Sequence, residues 1–337
     1  MNFSKILGSI SPRVSARILS FVLAIFISFA SIKVYGTFIK DIPEEEDNGD
    51  DLEEQLQSEH EAEKQEERKD FNTDTAFAVG TVVNGTGAIL CNLTDGTAIA
   101  EKNAFGKTAV KDAASFMVAL VVSKAVTEGR IALTDEAVCP ASAAKCRYYE
   151  LSEDIMPIGK RMRIADIVKC MLYQNGSAYA YTLAVHISGS EEAFVEEMNG
   201  YAKELGLRET FFADSYGDEA KGSSVSPYDL AVIVKYFLSD PMLKSMFCSD
   251  DMITVGYGQS GSITLAVKND FFLSYCTESQ AKADGIIGGK VSGITHSGWA
   301  CVLFNKEGKE YLSLVLESKE PFVDCLMLYT AYVLSVE

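Results

Sequence analysis

Two stretches place a serine three residues before a lysine, Ser142 to Lys145 and Ser279 to Lys282. On a helix that spacing brings hydroxyl and amine onto one face, a turn apart, where the amine can take the proton of a nucleophilic hydroxyl. The amine serves as a base only when burial or a neighbouring cation depresses its pKa. Neither stretch has the surroundings for this. PASAAK leads into the polar, aromatic run CRYYELSED instead of an apolar helix, and Ser279-Gln280-Ala281-Lys282 fails in the same way. Of the three histidines, His60 lies in an acidic stretch, His186 comes late in a helical pattern where it is expected to pack, and His296 has no evident serine partner. The eight cysteines contain no Cys-x-x-Cys pair and no His cluster joins them, so neither a metal nor a cofactor is expected. Cys170, Cys301 and Cys325 read as small core residues, and Cys139 and Cys146 are close enough to suggest a local bridge.

The formal charge of −18 over 337 residues, without a basic cluster, excludes a nucleic-acid backbone as partner. Residues 41–70 carry fifteen acids against three bases and read as a solvated stalk. Before it, Ile18 to Tyr35 is an apolar run preceded by Lys5, Arg13 and Arg17. The expected layout is a basic cytoplasmic tail at 1–17, a membrane anchor or signal segment at 18–39, an acidic linker at 40–70 and a domain at 71–337. A retained single-pass anchor with the domain outside the cytoplasm suits a long stalk. Ser28-Phe29-Ala30 offers a small-x-small cleavage site, so a secreted form is the alternative.

The elements that must position any site follow from hydrophobic periodicity. Thr75 to Val83 and Ala88 to Leu93 read as a hairpin around Asn84-Gly85. Helices are expected over Asp112 to Thr127, Ile164 to Gln174, Ala178 to Ile187, Glu191 to Leu205 and Pro227 to Leu238. Strands follow at Met252 to Tyr257, Ser262 to Val267, Ala300 to Phe304 and Tyr311 to Leu316, with a closing helix over Pro321 to Leu334. Strands at both ends around a helical middle make one antiparallel sheet with a helical insertion, an α+β class.

Several segments together resemble serine D-Ala-D-Ala carboxypeptidases, the low-molecular-mass penicillin-binding proteins. They are FMVALVV, GRIALTDEAVCP, the helical run from Pro157 to Phe212, SPYDLAVIVKYFLSDP, VKNDFF and GIIGGKVSGITHSGWACVLF. The resemblance implies a β-lactamase/transpeptidase-like fold, an antiparallel sheet flanked by helices with a helical lobe. It also implies three catalytic motifs. Aligned through FMVAL, the serine and lysine of Ser-x-x-Lys fall on Asp112 and Ser115, so both functional groups are missing. Asp112 is then expected to cap the helix that follows it. Ser-x-Asn falls on Asn175-Gly176-Ser177, the same groups in reverse order; Ser177 is expected to cap the helix beginning at Ala178, leaving Asn175 as the better ligand contact. Lys-Thr-Gly falls on Val291-Ser292-Gly293, which keeps hydroxyl and glycine without the cation. Lys290 is adjacent, but alternation along a strand turns it to the other face unless a bulge intervenes. Trp299 follows this motif and is expected near the cleft mouth.

The expected function is therefore that of a pseudoenzyme at the bacterial cell wall, binding peptidoglycan stem peptide or a cell-wall protein, with the membrane engaged through the N-terminal segment. Two alternatives stand beside it. One is an active carboxypeptidase with an atypical site at Ser115 or Ser142; the other is a structural envelope scaffold acting through the acidic stalk.

Overall fold

The computed structural model describes residues 70–146, 156–174, 176–257, 263–276, 284–292 and 297–335. The expected tail, anchor and most of the linker lie outside these residues, as do His60, Asn175, Gly293, His296 and Ser279 to Lys282. The chain divides into Met1–Lys64 and Gln65–Glu337, and the described residues belong to the second unit. Among them no helix is long and apolar enough to cross a membrane.

A six-stranded sheet forms the base of the domain. Its strands are β1 (Phe77–Ala78), β2 (Gly87–Asn92), β3 (Thr97–Lys102), β10 (Ile286–Ser292), β11 (Gly298–Lys306) and β12 (Lys309–Ser318), in the order β1-β3-β2-β12-β11-β10. All neighbours are antiparallel except β1 and β3. The expected first hairpin is not formed. Its turn needs left-handed backbone, and that is supplied at Gly96 (φ +74°) between β2 and β3 instead of at Asn84-Gly85. The N–H groups of Asn84 and Gly85 donate instead to Asp324 Oδ2, at 3.0 and 3.1 Å.

Side chains alternate across the sheet and build a core on each face. Cys301, Leu303, Leu312 and Leu314 face the helical lobe, while Ala300, Val302, Phe304 and Val315 face the last helix, α7 (Pro321–Tyr329). Phe304 stacks on Tyr329 at 3.9 Å between ring centres.

The helical lobe holds α1 (Ala114–Thr127), α2 (Ile164–Tyr173), α3 (Ser177–Ser188), α4 (Glu191–Glu204), α5 (Pro227–Ser239) and α6 (Pro241–Phe247). Short ladders pair β4 (Thr108–Ala109) with β7 (Ser224–Val225), β5 (Glu136–Val138) with β6 (Arg161–Arg163), and β8 (Ile253–Tyr257) with β9 (Ile263–Val267). α1 is buried from Ala114 to Val122 without a polar face, which marks it as the central helix. α5 starts where Ser226 accepts the Asp229 N–H and proline takes the first position, and α4 starts where Ser190 accepts the Ala193 N–H.

Three smaller expectations are corrected. His186 is exposed on α3 and does not pack. Cys139 and Cys146 are separate buried thiols, the first held through its amide by the Lys160 carbonyl and the second by Ala143. Asp112 lies ahead of α1 in a 3-10 turn over Lys111–Ala113, and its carboxylate caps neither turn nor helix. Cys170, Cys301 and Cys325 are fully buried, as expected.

Candidate functional site

A cleft of about 290 Å³ opens where the start of α1, the α2–α3 junction and the end of β10 meet. Its walls include Asp112, Ser115, Ser177 and Ser292 from the positions singled out in the sequence, together with Lys111, Gln174, Tyr216, Gly217, Glu219 and Ser297. The three motif positions are thus brought together from segments far apart in the chain. Ser142 and Lys145 are not part of the wall; they lie in a 3-10 turn over Ala141–Lys145, with Lys145 in solvent.

Asp112 has a partner that its own neighbourhood in the sequence does not suggest. Its Oδ1 accepts the indole N–H of Trp299 at 2.9 Å. Trp299 is buried beneath the cleft, edge-on to Phe116, and not at the mouth. This long-range bond replaces the expected cap: the carboxylate is drawn toward β11 and away from the amides of α1.

Two polar atoms beside it are left over. Asp112 Oδ2 and Ser115 Oγ are both buried without a hydrogen-bond partner, and Ser115 is only 5% exposed. A buried hydroxyl without a partner costs about 1 to 3 kcal/mol in folded proteins.

Lys290 resolves the alternation argument in an unexpected direction. Val291 points to the α7 side of the sheet and packs with Ala300, Val302 and Phe322, so the aligned motif position does not face the cleft. Gly288, Lys290 and Ser292 share the opposite face, toward the lobe; a Cβ at Gly288 would touch the Phe247 ring. The register shift in β10 lies upstream, between Ile286 and Gly288.

The buried Lys290 amine does not enter the cleft. It donates to the carbonyls of Met171 at 3.2 Å, Leu172 at 3.1 Å and Gln174 at 3.5 Å, closing the C-terminal end of α2. Burial lowers its pKa, while the charges of Asp112 and Asp270 pull it back up.

Lys111, next to the first motif, was not singled out by the motif reading. It has a left-handed backbone (φ +49°), and its amine reaches the Ser297 carbonyl at 2.6 Å and Glu219 at 3.4 Å. Opposite it, the loop of Tyr216 and Gly217 is cinched around the buried Asp214 carboxylate, which accepts N–H groups from Tyr216, Gly217 and Asp218. Gly217 has φ +77°, and a Cβ there would lie 1.7 Å from the Lys111 carbonyl oxygen, so only glycine permits the contact. Burial raises the Tyr216 hydroxyl pKa, against a hydrogen bond from Lys221. No local signal in the sequence marks this loop as a cleft wall.

Ser177 is the first residue of α3, with Gly176 in the cap position, so its hydroxyl sits one step inside the helix end that it was expected to cap. Among the described residues, neither Lys111 nor Lys290 donates to a serine hydroxyl. Among its described residues the cleft therefore has hydroxyls, two carboxylates and cations, and Ser115 is not paired with a basic amine.

A family model described as D-alanyl-D-alanine carboxypeptidase matches residues 74–287. The chain is similar to D-alanyl-D-alanine carboxypeptidase DacC of Escherichia coli, at 31% identity over 174 residues, 49% of this chain and 44% of that protein. It is also similar to D-alanyl-D-alanine carboxypeptidase DacF of Bacillus subtilis, at 30% identity over 151 residues, 45% of this chain and 38% of that protein. The chain thus spans less than half the length of these curated relatives. Among solved structures, penicillin binding protein 5 of Haemophilus influenzae superposes with TM-score 0.63 at 20% identity, covering 75% of this chain and 70% of that one. A DD-transpeptidase of Streptomyces superposes with TM-score 0.62 at 19% identity, covering 73% and 97%. At these identities the likeness shows a shared transpeptidase-like α+β fold. With the family model matched across most of the folded domain, the chain belongs to the D-alanyl-D-alanine carboxypeptidase family.

Proposed function

We propose that this domain is a catalytically silent family member that binds peptidoglycan stem peptide in its cleft without cleaving it, and so serves cell-wall synthesis as a binding or regulatory protein. One observation carries the reading: Asp112 and Ser115 stand where Ser-x-x-Lys chemistry requires a serine and a lysine. A carboxylate held by an indole is a poor nucleophile for an amide, and Ser115 has no base to take its proton. The persistence of a formed cleft supports binding, since a fold can retain a site after its chemistry is gone. The apolar run at Ile18 to Tyr35 and its basic flank support tethering at the outer face of the cell membrane.

The test is intact-mass analysis of the full chain after incubation with a penicillin, with Ser115→Ala and Ser142→Ala alongside. The expected outcome is no covalent adduct on folded protein. A stoichiometric adduct lost in one variant would identify a nucleophile and overturn the reading.

A further inference from the structure

A helix on the surface of a folded domain carries its charged residues on the outward face. α4 does so, with Glu192, Glu196, Lys203 and Glu204 exposed. The last helix does not. α7 continues through a π turn over Thr330–Leu334, and from Pro321 to Ser335 the one charged residue is Asp324, which is fully buried. Phe322, Cys325, Leu328 and Tyr329 fill the sheet side. The outward side is apolar as well: Val323 is 45% exposed, Met327 44% and Leu334 38%, with Leu326 and Ala331 half-buried beside them. At the end of the segment Tyr332 stacks on the exposed Phe77, at 5.7 Å between ring centres, and extends this surface. A helix that is apolar all round belongs in an interior, so the outward side of α7 is built to be covered.

We propose that the outward side of α7 pairs with the same side of α7 on a second copy of this chain, about a two-fold axis. The spacing is that of a helix pair. Val323, Met327, Thr330 and Leu334 follow one another at four, three and four residues, the pattern of a seam along which two helices interlock. Charge favours a copy over other occupants. A chain with net charge −18 repels itself, and a two-fold axis through this stripe brings two copies together without burying a carboxylate. A helix lying in a membrane surface has a Lys- and Arg-rich face opposite its apolar one, whereas the opposite face of α7 is packed on the sheet. Size sets the strength. A stripe roughly 20 Å long on a helix roughly 10 Å across covers well under the about 1,200 Å² of a standard stable interface, so the pair is weak and forms where copies are concentrated.

The test is oxidative cross-linking of the full chain in phosphatidylcholine vesicles, with copper phenanthroline and oxygen as the oxidant. Met327→Cys places a thiol near the middle of the stripe, within about one turn of its own copy for either helix direction. Phe211→Cys, at a 52% exposed position beside β7, is the comparison, and the unaltered chain gives the background from the half-buried Cys248. Disulfide-linked dimer is expected from Met327→Cys in at least fivefold the yield from Phe211→Cys. Adding Val323→Glu puts a carboxylate into the seam and is expected to cut that yield at least fivefold, with the fold intact by circular dichroism because Val323 is exposed. Equal yields at the two thiol positions would report random collision and overturn the proposal, as would a yield indifferent to Val323→Glu. If Met327→Cys gives no dimer, a water-soluble maleimide separates two readings, each of which overturns the proposal. A thiol shielded from the reagent would assign the covering to lipid, and a freely reacting thiol would show the stripe to be uncovered.

Discussion

Ser115 shows how a site can be kept at a cost to the fold. Its hydroxyl is buried without a partner on the central helix, where alanine would be the better helix former. Ser115→Ala is therefore expected to raise the unfolding free energy by about 1 kcal/mol. Urea unfolding of the variant beside the wild type checks this. Destabilisation by that amount would mean that the hydroxyl is satisfied in the folded protein. Lys290 and Val291 make a different point at the same scale. A one-residue difference along a strand decides whether a side chain faces the lobe or α7, and here the cation, not the aligned motif position, faces the lobe.

At the scale of elements, the far side of the sheet is tied to the lobe-side strands through α7. Asp324 on this helix is fully buried, and its carboxylate accepts from the Asn84 and Gly85 amides and from Ser318 Oγ at 2.6 Å. One side chain thus joins the entry to β2, the end of β12 and α7. Asp324→Ala leaves the Gly85 amide and the Ser318 hydroxyl buried without this acceptor and is expected to cost about 3 kcal/mol of stability. The check is chemical unfolding, with hydrogen exchange at Asn84 and Gly85; exchange protection unchanged at both amides would show that the knot is held by something else. The Gly217 contact with Lys111 works in the same way on the cleft side, joining a loop to the turn before α1 by close backbone approach.

For the whole molecule, buried thiols set the response to base. Burial raises Cys146 and Cys325 to about 12 and Cys248 to about 11, against 9.0 for an unperturbed thiol. Their folded pKa values lie above the unfolded value, so the stability they confer is complete below pH 9.0 and is lost as pH rises toward those folded values. Each contributes a slope of up to about 1.4 kcal/mol per pH unit in that window. Lys290 opposes them: its lowered pKa favours the folded state as pH rises toward the ordinary lysine value of 10.5. Burial raises the Cys91, Cys139, Cys276 and Cys301 thiols in the same direction, against the one lowered amine of Lys290, so unfolding free energy is expected to fall above pH 9.0. Cys325→Ala should fall less steeply than the wild type in urea unfolding series across that range. Equal slopes would show that Cys325 ionises as readily folded as unfolded.

Local pattern was enough to determine much of this protein. Periodicity located α1 through α5, the β11–β12 pair and the closing helix to within a few residues, because each buries one face or both and its sequence records that burial. The replacement of serine by Asp112 and of lysine by Ser115 was equally legible, since aligned motif positions are a property of order along the chain. The tertiary structure decided what those residues do. Asp112 meets Trp299 across 187 positions, Lys290 closes a helix 118 positions away, and Asp324 reaches amides 240 positions back. Hydrogen-bond partners at such separations follow from how distant elements pack, and a turn such as Asn84-Gly85 yields its local preference when a buried carboxylate competes for the same amides.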